Sequence, residues 1–264
     1  RPLAPSCTVT RLDIAEDGGG PRSEPGTPAP TPTAGLESAL EAIEVLQGLS
    51  APALKELARL CTWRSYRSGQ QVISRESKDR QVFFIVRGKV RVSVYSAGGR
   101  QVAFRDVDVG KCIGEISAID GLPRSANVEA TEESMIAAIP PQVFWKLLET
   151  EPSVMANVVR LLTATIRSLS DRLFELSTLG IQNRVHAEIL RLVRETGVRN
   201  GVAAIDPAPR HADIASRISA NREQVTKELS AMARRGLVTK RGRALVVPDA
   251  NRLERIVSEV RRSS

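Results

Sequence analysis

Two short segments of this 264-residue chain carry side chains whose types and spacing can do chemistry. The first is Gly114-Glu115-Ile116-Ser117-Ala118-Ile119-Asp120-Gly121-Leu122-Pro123-Arg124-Ser125-Ala126. Its start reads as one turn of helix, Glu115–Ala118, whose free amides, those of Ile116 and Ser117 included, can point at an anion. Gly114 lacks a Cβ and lets a ligand approach the main chain. The Glu115 carboxylate can only accept, and so suits the hydrogen of a ribose 2′-OH. Arg124 offers a planar fork to two phosphate oxygens, and Ser125 adds a hydroxyl donor. Together these groups suit a small cyclic phosphate with a free ribose hydroxyl. Taken singly, an Arg and a Glu near a turn make a surface ion pair more often than a ligand site. The surrounding elements must decide.

The second segment is Asn221-Arg222-Glu223-Gln224-Val225-Thr226-Lys227. Asn221 is a good N-cap, and Gln224 three residues on completes a capping-box variant. A helix from Arg222 to about Ala233 would bury Val225, Leu229 and Met232. Glu223 and Lys227 would project opposite, with Arg222 and Thr226 beside them. In a major groove Arg222 can bond guanine O6 and N7, and Glu223 can accept from a cytosine amino group. A preceding helix, Ala212–Ile218, and the tight link Ser219-Ala220-Asn221 complete a helix-turn-helix. Gly236 then stops the second helix, and Leu237–Thr239 and Ala244–Val247 bracket the turn Lys240-Arg241-Gly242-Arg243 as a basic β-wing. Arg210, Arg241 and Arg243 are suited to phosphates rather than bases. A last helix, Asn251–Val260, should pack Leu253, Ile256, Val257 and Val260 on this small domain.

Charge supports that reading. Residues 181–264 hold 17 Lys and Arg against 9 Asp and Glu, whereas residues 1–180 hold 21 of each, so the whole surplus of +8 lies in the last third. Such concentration fits a surface that displaces counterions from a polyanion, the alternative being a merely solvated basic face.

The elements that must position these segments are legible from pattern. Residues 1–35, rich in Pro, Gly, Ser and Thr, cannot build a core and read as a disordered tail. Order should begin near Leu36 with an amphipathic helix through Leu46. A second helix, Ala51–Cys61, takes its N-cap from Ser50. From Thr62 to Pro140 short alternating runs such as Gln81–Val86, Lys89–Tyr95 (Val90, Val92 and Val94 on one face) and Gln101–Val107 are punctuated by glycines. About eight strands in that space predict an antiparallel barrel or jelly roll. After Pro152 the period becomes helical. Met155, Val159, Leu162, Ile166, Leu169, Leu173 and Leu176 follow at spacings of 4, 3, 4, 3, 4 and 3, an a/d heptad seam. A parallel two-helix dimer is the preferred reading, against packing inside one chain; Val158 and Leu161 should pack back on the barrel.

Other classes of function find little support. The two histidines have no paired nucleophile, and no metal-spaced cluster or P-loop occurs, so no enzyme and no metal site is read. No apolar run is long enough for a membrane span, and no signal pattern opens the chain. Cys7, Cys61 and Cys112 stand far apart, with no CxxC pair, which fits a reducing cytoplasm.

On the segments Gly114–Ala126 and Asn221–Lys227 the chain resembles the CRP/FNR (catabolite activator) superfamily, from residue 36 to about 247. The first is similar to the family's phosphate-binding cassette and the second to its recognition-helix motif. The resemblance implies an α+β architecture: a jelly-roll cyclic-nucleotide-binding domain over 36–150, a coiled-coil dimerisation helix over 151–180 and a winged helix-turn-helix over 181–264. It implies a cyclic nucleotide effector, cAMP or cGMP, bound by Gly114, Glu115, Ile116, Ser117, Arg124 and Ser125. It further implies a homodimer on palindromic double-stranded DNA, contact with RNA polymerase, and DNA contacts by Arg222, Glu223, Thr226 and Lys227. The iron–sulfur branch is disfavoured because four clustered cysteines are absent, and the haem branch because His186 and His211 both lie in the DNA-binding part. Where cAMP-responsive members carry a Thr-Ser pair touching the adenine, this chain has Leu169-Ser170. Leu169 offers apolar contact only, Ser170 would reach a base bound in the partner subunit, and the base stays open. Lys227 stands where similar members of the family carry Arg. Two other readings remain: the same fold with another effector or none, and a cyclic-nucleotide-regulated interaction module or enzyme regulatory subunit.

Overall fold

The computed structural model describes residues 27–28, 36–96 and 101–263. Most of the proposed tail, together with Cys7 and the Gly98-Gly99 turn, lies outside the described residues. The N-terminal half comprises β1 (Thr27–Pro28), α1 (Leu36–Glu41), α2 (Ala51–Leu60), β2 (Thr62–Tyr66), β3 (Gln71–Ile73), β4 (Val82–Arg87), β5 (Val90–Tyr95), β6 (Gln101–Val107), β7 (Cys112–Ile113), α3 (Glu115–Asp120), β8 (Asn127–Ala130) and β9 (Ser134–Ile139). Its strands form two antiparallel sheets, ordered β1-β2-β9-β4-β7 and β3-β8-β5-β6. Between them lies a core including Tyr66, Phe83, Ile85, Val90, Ile113 and Ile136. On the outer face of the larger sheet a second core forms from Trp63, Phe84, α1, α2 and the helices after the barrel. Strand β4 serves both, so Val82, Phe83, Phe84 and Ile85 are all buried without alternation.

Four local readings need correction. The helix expected over 36–46 is broken: α1 ends at Glu41 and a separate 3-10 turn spans Glu44–Leu46. The cause is Gly110, whose carbonyl accepts from the Glu44 amide at 2.8 Å and so takes the donor a continuing helix would use. A Cβ on Gly110 would lie 2.8 Å from the Ala42 carbonyl oxygen, so only glycine permits this approach. Order also begins before Leu36, since Thr27 and Pro28 pair with Ser65 and Arg64 of β2. The face of β5 is not Val90, Val92 and Val94. Its pairing with β6 shifts between Val92 and Ser93, leaving Phe104 as an extra residue, and Ser93 rather than Val94 is buried. The wing turn is tighter than read, with Arg241 paired to Ala244 around Gly242-Arg243.

Helix α4 (Pro141–Thr150) leads into α5 (Pro152–Thr178), the longest element. Val154 and Val158 of α5 are buried in the second core, with Leu161 and Leu162 half-buried beside them. The remaining seam residues, Met155, Val159, Ile166, Leu169, Leu173 and Leu176, are exposed by 39–67% in the single chain. Seven elements follow: α6 (Ile181–Thr196), β10 (Ala203–Ile205), α7 (His211–Arg217), α8 (Arg222–Arg234), β11 (Thr239–Arg241), β12 (Ala244–Val247) and α9 (Ala250–Ser263). Strand β10 makes the wing a three-stranded sheet, β10-β12-β11, which the sequence pattern did not reveal. A core of Ile189, Ile214, Val225, Met232, Val247 and Leu253 holds these helices together. The fold is thus β-rich at the N-terminus, joined by one long helix to a winged helix-turn-helix.

Candidate ligand cleft and nucleic-acid interface

Gly114, Glu115, Ile116, Ser117, Arg124 and Ser125 line a single cleft, whose other walls are Ile73, Val92, Arg105, Ile113, Ala126 and Val128. Gly114 ends β7 and starts α3 with φ of +83°, and a Cβ there would stand 2.6 Å from Arg124 Nη1. The glycine is therefore needed by the arginine as much as by any ligand. Arg124 is 4% exposed, with its guanidinium 5.5 Å over the Phe83 ring. Nη1 donates to the Gly114 carbonyl at 3.0 Å and Nη2 to the Gln81 carbonyl at 2.8 Å. Asp79 lies 3.4 Å from Nη2, while the buried Nε has no partner among the described residues. Burial pulls the Arg124 pKa down, against the charges of Asp79 and Glu115.

Glu115 is 2% exposed. Burial raises its pKa, with its own main-chain hydrogen bond and the charges of Arg105 and Arg124 pulling the other way. Arg105 Nη2 lies 3.9 Å from Glu115 Oε1, and Nη1 donates to Thr165 Oγ1 on α5 at 3.4 Å. Sequence reading missed Arg105. The available signal was an arginine on the inward beat of β6, between buried Ala103 and Val107. Leu169 and Ser170 are not brought to the cleft within one chain; both are exposed on α5.

On α8 the Asn221 amide donates to Gln224 Oε1 at 3.0 Å, fixing the first turn. Val225, Leu229 and Met232 are buried, whereas Arg222, Glu223, Thr226 and Lys227 are exposed. Thr226 is nonetheless tied down, its hydroxyl donating to the Arg222 carbonyl at 2.9 Å and lying 2.7 Å from His211 Nδ1. Arg241 is exposed on the wing. Arg243 and Arg210 are 81% and 82% exposed but rest on Asp206 and Asp213. Buried His186 of α6 meets Glu228 of α8 at 2.9 Å; desolvation lowers its pKa against that carboxylate.

A cluster of charges also joins the two halves. Arg91 of β5 donates to both oxygens of Asp106 on β6, at 2.8 and 3.1 Å, and to Asp213 of α7 at 2.7 Å. Arg217 of α7 bonds Asp106 as well, and Glu188 of α6 at 3.0 Å. The cleft and this junction thus share strand β6 through consecutive residues, Arg105 and Asp106.

Among the described residues no helix is long and apolar enough to cross a membrane, and no group of three His, Cys, Asp or Glu could hold a metal ion. Residues 63–151 match the family model for the cyclic nucleotide-binding domain, and residues 183–256 that for the Crp-like helix-turn-helix domain. The chain is 22% identical to the CRP-like cAMP-activated global transcriptional regulator of Mycobacterium tuberculosis, over 83% of this chain and 99% of that protein. It is 28% identical to the cyclic AMP receptor protein of Thermus thermophilus, over 73% of this chain and 87% of that one. A solved structure of a CooA mutant from Carboxydothermus hydrogenoformans shares the fold, with a TM-score of 0.70 and 16% identity over 82% of this chain and 95% of that one. The first of these is by name a global transcriptional regulator. With a match to the cyclic nucleotide-binding domain, a long helix and a match to the Crp-like helix-turn-helix domain in one chain, this protein has the make-up of a CRP-like transcription regulator.

Proposed function

We propose that the protein is a cytoplasmic homodimer whose affinity for palindromic DNA is set by a cyclic nucleotide, cAMP or cGMP, bound in the barrel cleft. The observation that carries this is Arg124. A guanidinium buried at 4% exposure leaves its Nε without a partner among the described residues. Such a donor is costly unless water or a ligand meets it. Arg184 and Arg217 hold their Nε in the same way, but Arg124 lines a cleft together with Gly114, Glu115, Ser117 and Ser125. A cyclic phosphate beside Gly114 would accept from Nε, from Ser125 and from the amides of Glu115, Ile116 and Ser117, while Glu115 accepts the ribose 2′-OH.

The exposed stripe on α5 supports a parallel pairing of two chains through Met155, Val159, Leu162, Ile166, Leu169, Leu173 and Leu176. In that dimer Leu169 and the partner's copy of Ser170 would flank the base. Two α8 helices then face half-sites about one helical turn apart. Arg222 addresses guanine, Glu223 cytosine and Lys227 a further base, with Thr226 holding the turn that carries Arg222. Arg210, Arg241 and Arg243 hold phosphates. Ligand binding would shift a pre-existing equilibrium in how the reading helices are set, and promoter-bound dimer would contact RNA polymerase.

One feature favours a second reading, in which the barrel takes another effector or none. Both Nη groups of Arg124 already donate to main-chain carbonyls, and the Arg105 guanidinium lies 3.9 Å from Glu115. Arg124→Ala separates the two readings. Under the first, the variant stays a folded dimer but loses nucleotide-dependent binding to a selected palindrome. Unchanged nucleotide and DNA binding by the variant would overturn the assignment of the cleft.

A further inference from the structure

We infer that Arg105 selects the base of the effector and that the base it selects is guanine. The inference rests on the proposed cleft and assigns the base that the sequence left open. Its ground is the order of groups along the cleft wall. Arg124 lies against Gly114 at one end, Glu115 follows, and Arg105 lies beyond Glu115, reaching on to Thr165 of α5. A nucleotide with its phosphate at Gly114 and Arg124 and its 2′-OH at Glu115 has its base at Arg105, under α5.

The Arg105 fork is largely unspent there. Its contact with Glu115, at 3.9 Å, is beyond hydrogen-bond reach, and its bond to Thr165, at 3.4 Å, is long. The side chain is 35% exposed, so it can turn to a ligand. Guanine presents O6 and N7 as two coplanar acceptors matching a guanidinium fork. Adenine places an amino donor where guanine has O6, which faces the fork donor to donor. Of the other base-side positions, Leu169 has no polar side-chain atom, and the partner's copy of Ser170 carries a hydroxyl that can donate or accept and so favours neither purine.

Isothermal titration of the full-length protein with cGMP, cAMP and cyclic IMP tests this. Cyclic IMP keeps O6 and N7 but lacks the 2-amino group. The wild type should bind cGMP and cyclic IMP about tenfold or more tighter than cAMP. Arg105→Ala should erase that difference by weakening the two oxo-purines and leaving cAMP within about twofold. Arg105→Lys keeps the charge without the fork and should fall between. If Arg105→Ala weakened all three nucleotides equally, the guanidinium would serve the phosphate or sugar and the inference would fail. Equal wild-type affinities for cGMP and cAMP would sink it too, while leaving the cleft assignment intact. Absence of saturable binding by any of the three would overturn both.

Discussion

Removing the acceptor at the centre of the junction, Asp106→Ala, is the perturbation whose size follows most directly from the geometry. The side chains of Arg91, Arg217 and Asp106 are only 13%, 10% and 16% exposed. Deleting one partner of a buried ion pair costs about 3–5 kcal/mol when the remaining charge is left alone. Here each arginine keeps a second acceptor, Arg91 at Asp213 and Arg217 at Glu188, so the expected loss is about 2–3 kcal/mol. With a urea m-value of about 2 kcal/mol/M, the unfolding midpoint should fall by roughly 1 M. Both tryptophans, Trp63 and Trp145, lie in the barrel half. Tryptophan fluorescence therefore follows the sensor while far-UV circular dichroism follows the whole chain, and the variant should separate two transitions that the junction holds closer together. Acid should act through the same carboxyl. Burial alone would raise the Asp106 pKa, but the Arg91 hydrogen bond and the charges of Arg217 and Arg91 outweigh it and hold the value down. The stabilisation is thus complete above the unfolded-state value of about 3.9 and lost as pH falls through the lower folded one. The gap between wild type and variant should close in that acid range. A variant midpoint within about 0.2 M of wild type at neutral pH would refute this account of the junction.

Other outcomes follow from the surfaces. Ile166→Asp or Leu173→Asp places a charge on an apolar seam residue exposed by 64% or 67% in one chain, and should yield monomers in sedimentation equilibrium. A dimer surviving both changes would show that α5 is not the interface. Arg222→Ala should cost about 1–3 kcal/mol on the preferred site and relax preference at one base pair per half-site, read by binding to a substituted operator series. Uniform weakening across that series would instead make Arg222 a phosphate contact. Arg241→Ala should weaken all sequences alike and lower the slope of log affinity against log salt by about 1 per subunit. A changed base preference would contradict that role.

How much of this was legible depended on the range of the interaction. Helix α8 was readable because its determinants are local: Asn221 caps, Gln224 returns to the cap, and Val225, Leu229 and Met232 repeat on one face. The long helix was readable from its heptads, as was which residues turn back, since Val158 and Leu161 fall off the seam. Non-local events were not readable. Gly110 breaks the first helix from a loop far along the chain, and the extra residue at Phe104 changes which side of β5 is buried. Strand β10 exists because Ala203–Ile205 finds the edge of β12, a partner 40–44 residues away that no short window contains. Within the cleft, Glu115, Arg124 and Ser125 were found because they sit on one contiguous segment. Arg105 was missed because it comes from β6 and meets them only in the folded barrel. The junction charges likewise join residues from β5, β6, α6 and α7, each unremarkable in its own segment.

The claim on which the account turns is that the cleft and the DNA-reading helices exchange free energy. Its most direct measurement is nucleotide affinity with and without a saturating operator fragment, set beside operator affinity with and without saturating nucleotide. Linkage requires the two ratios to be equal, and coupling of about 1–3 kcal/mol makes each about 5- to 150-fold. Equal, substantial ratios are the predicted result. Nucleotide that binds the barrel with the same affinity whether or not DNA is present would contradict it.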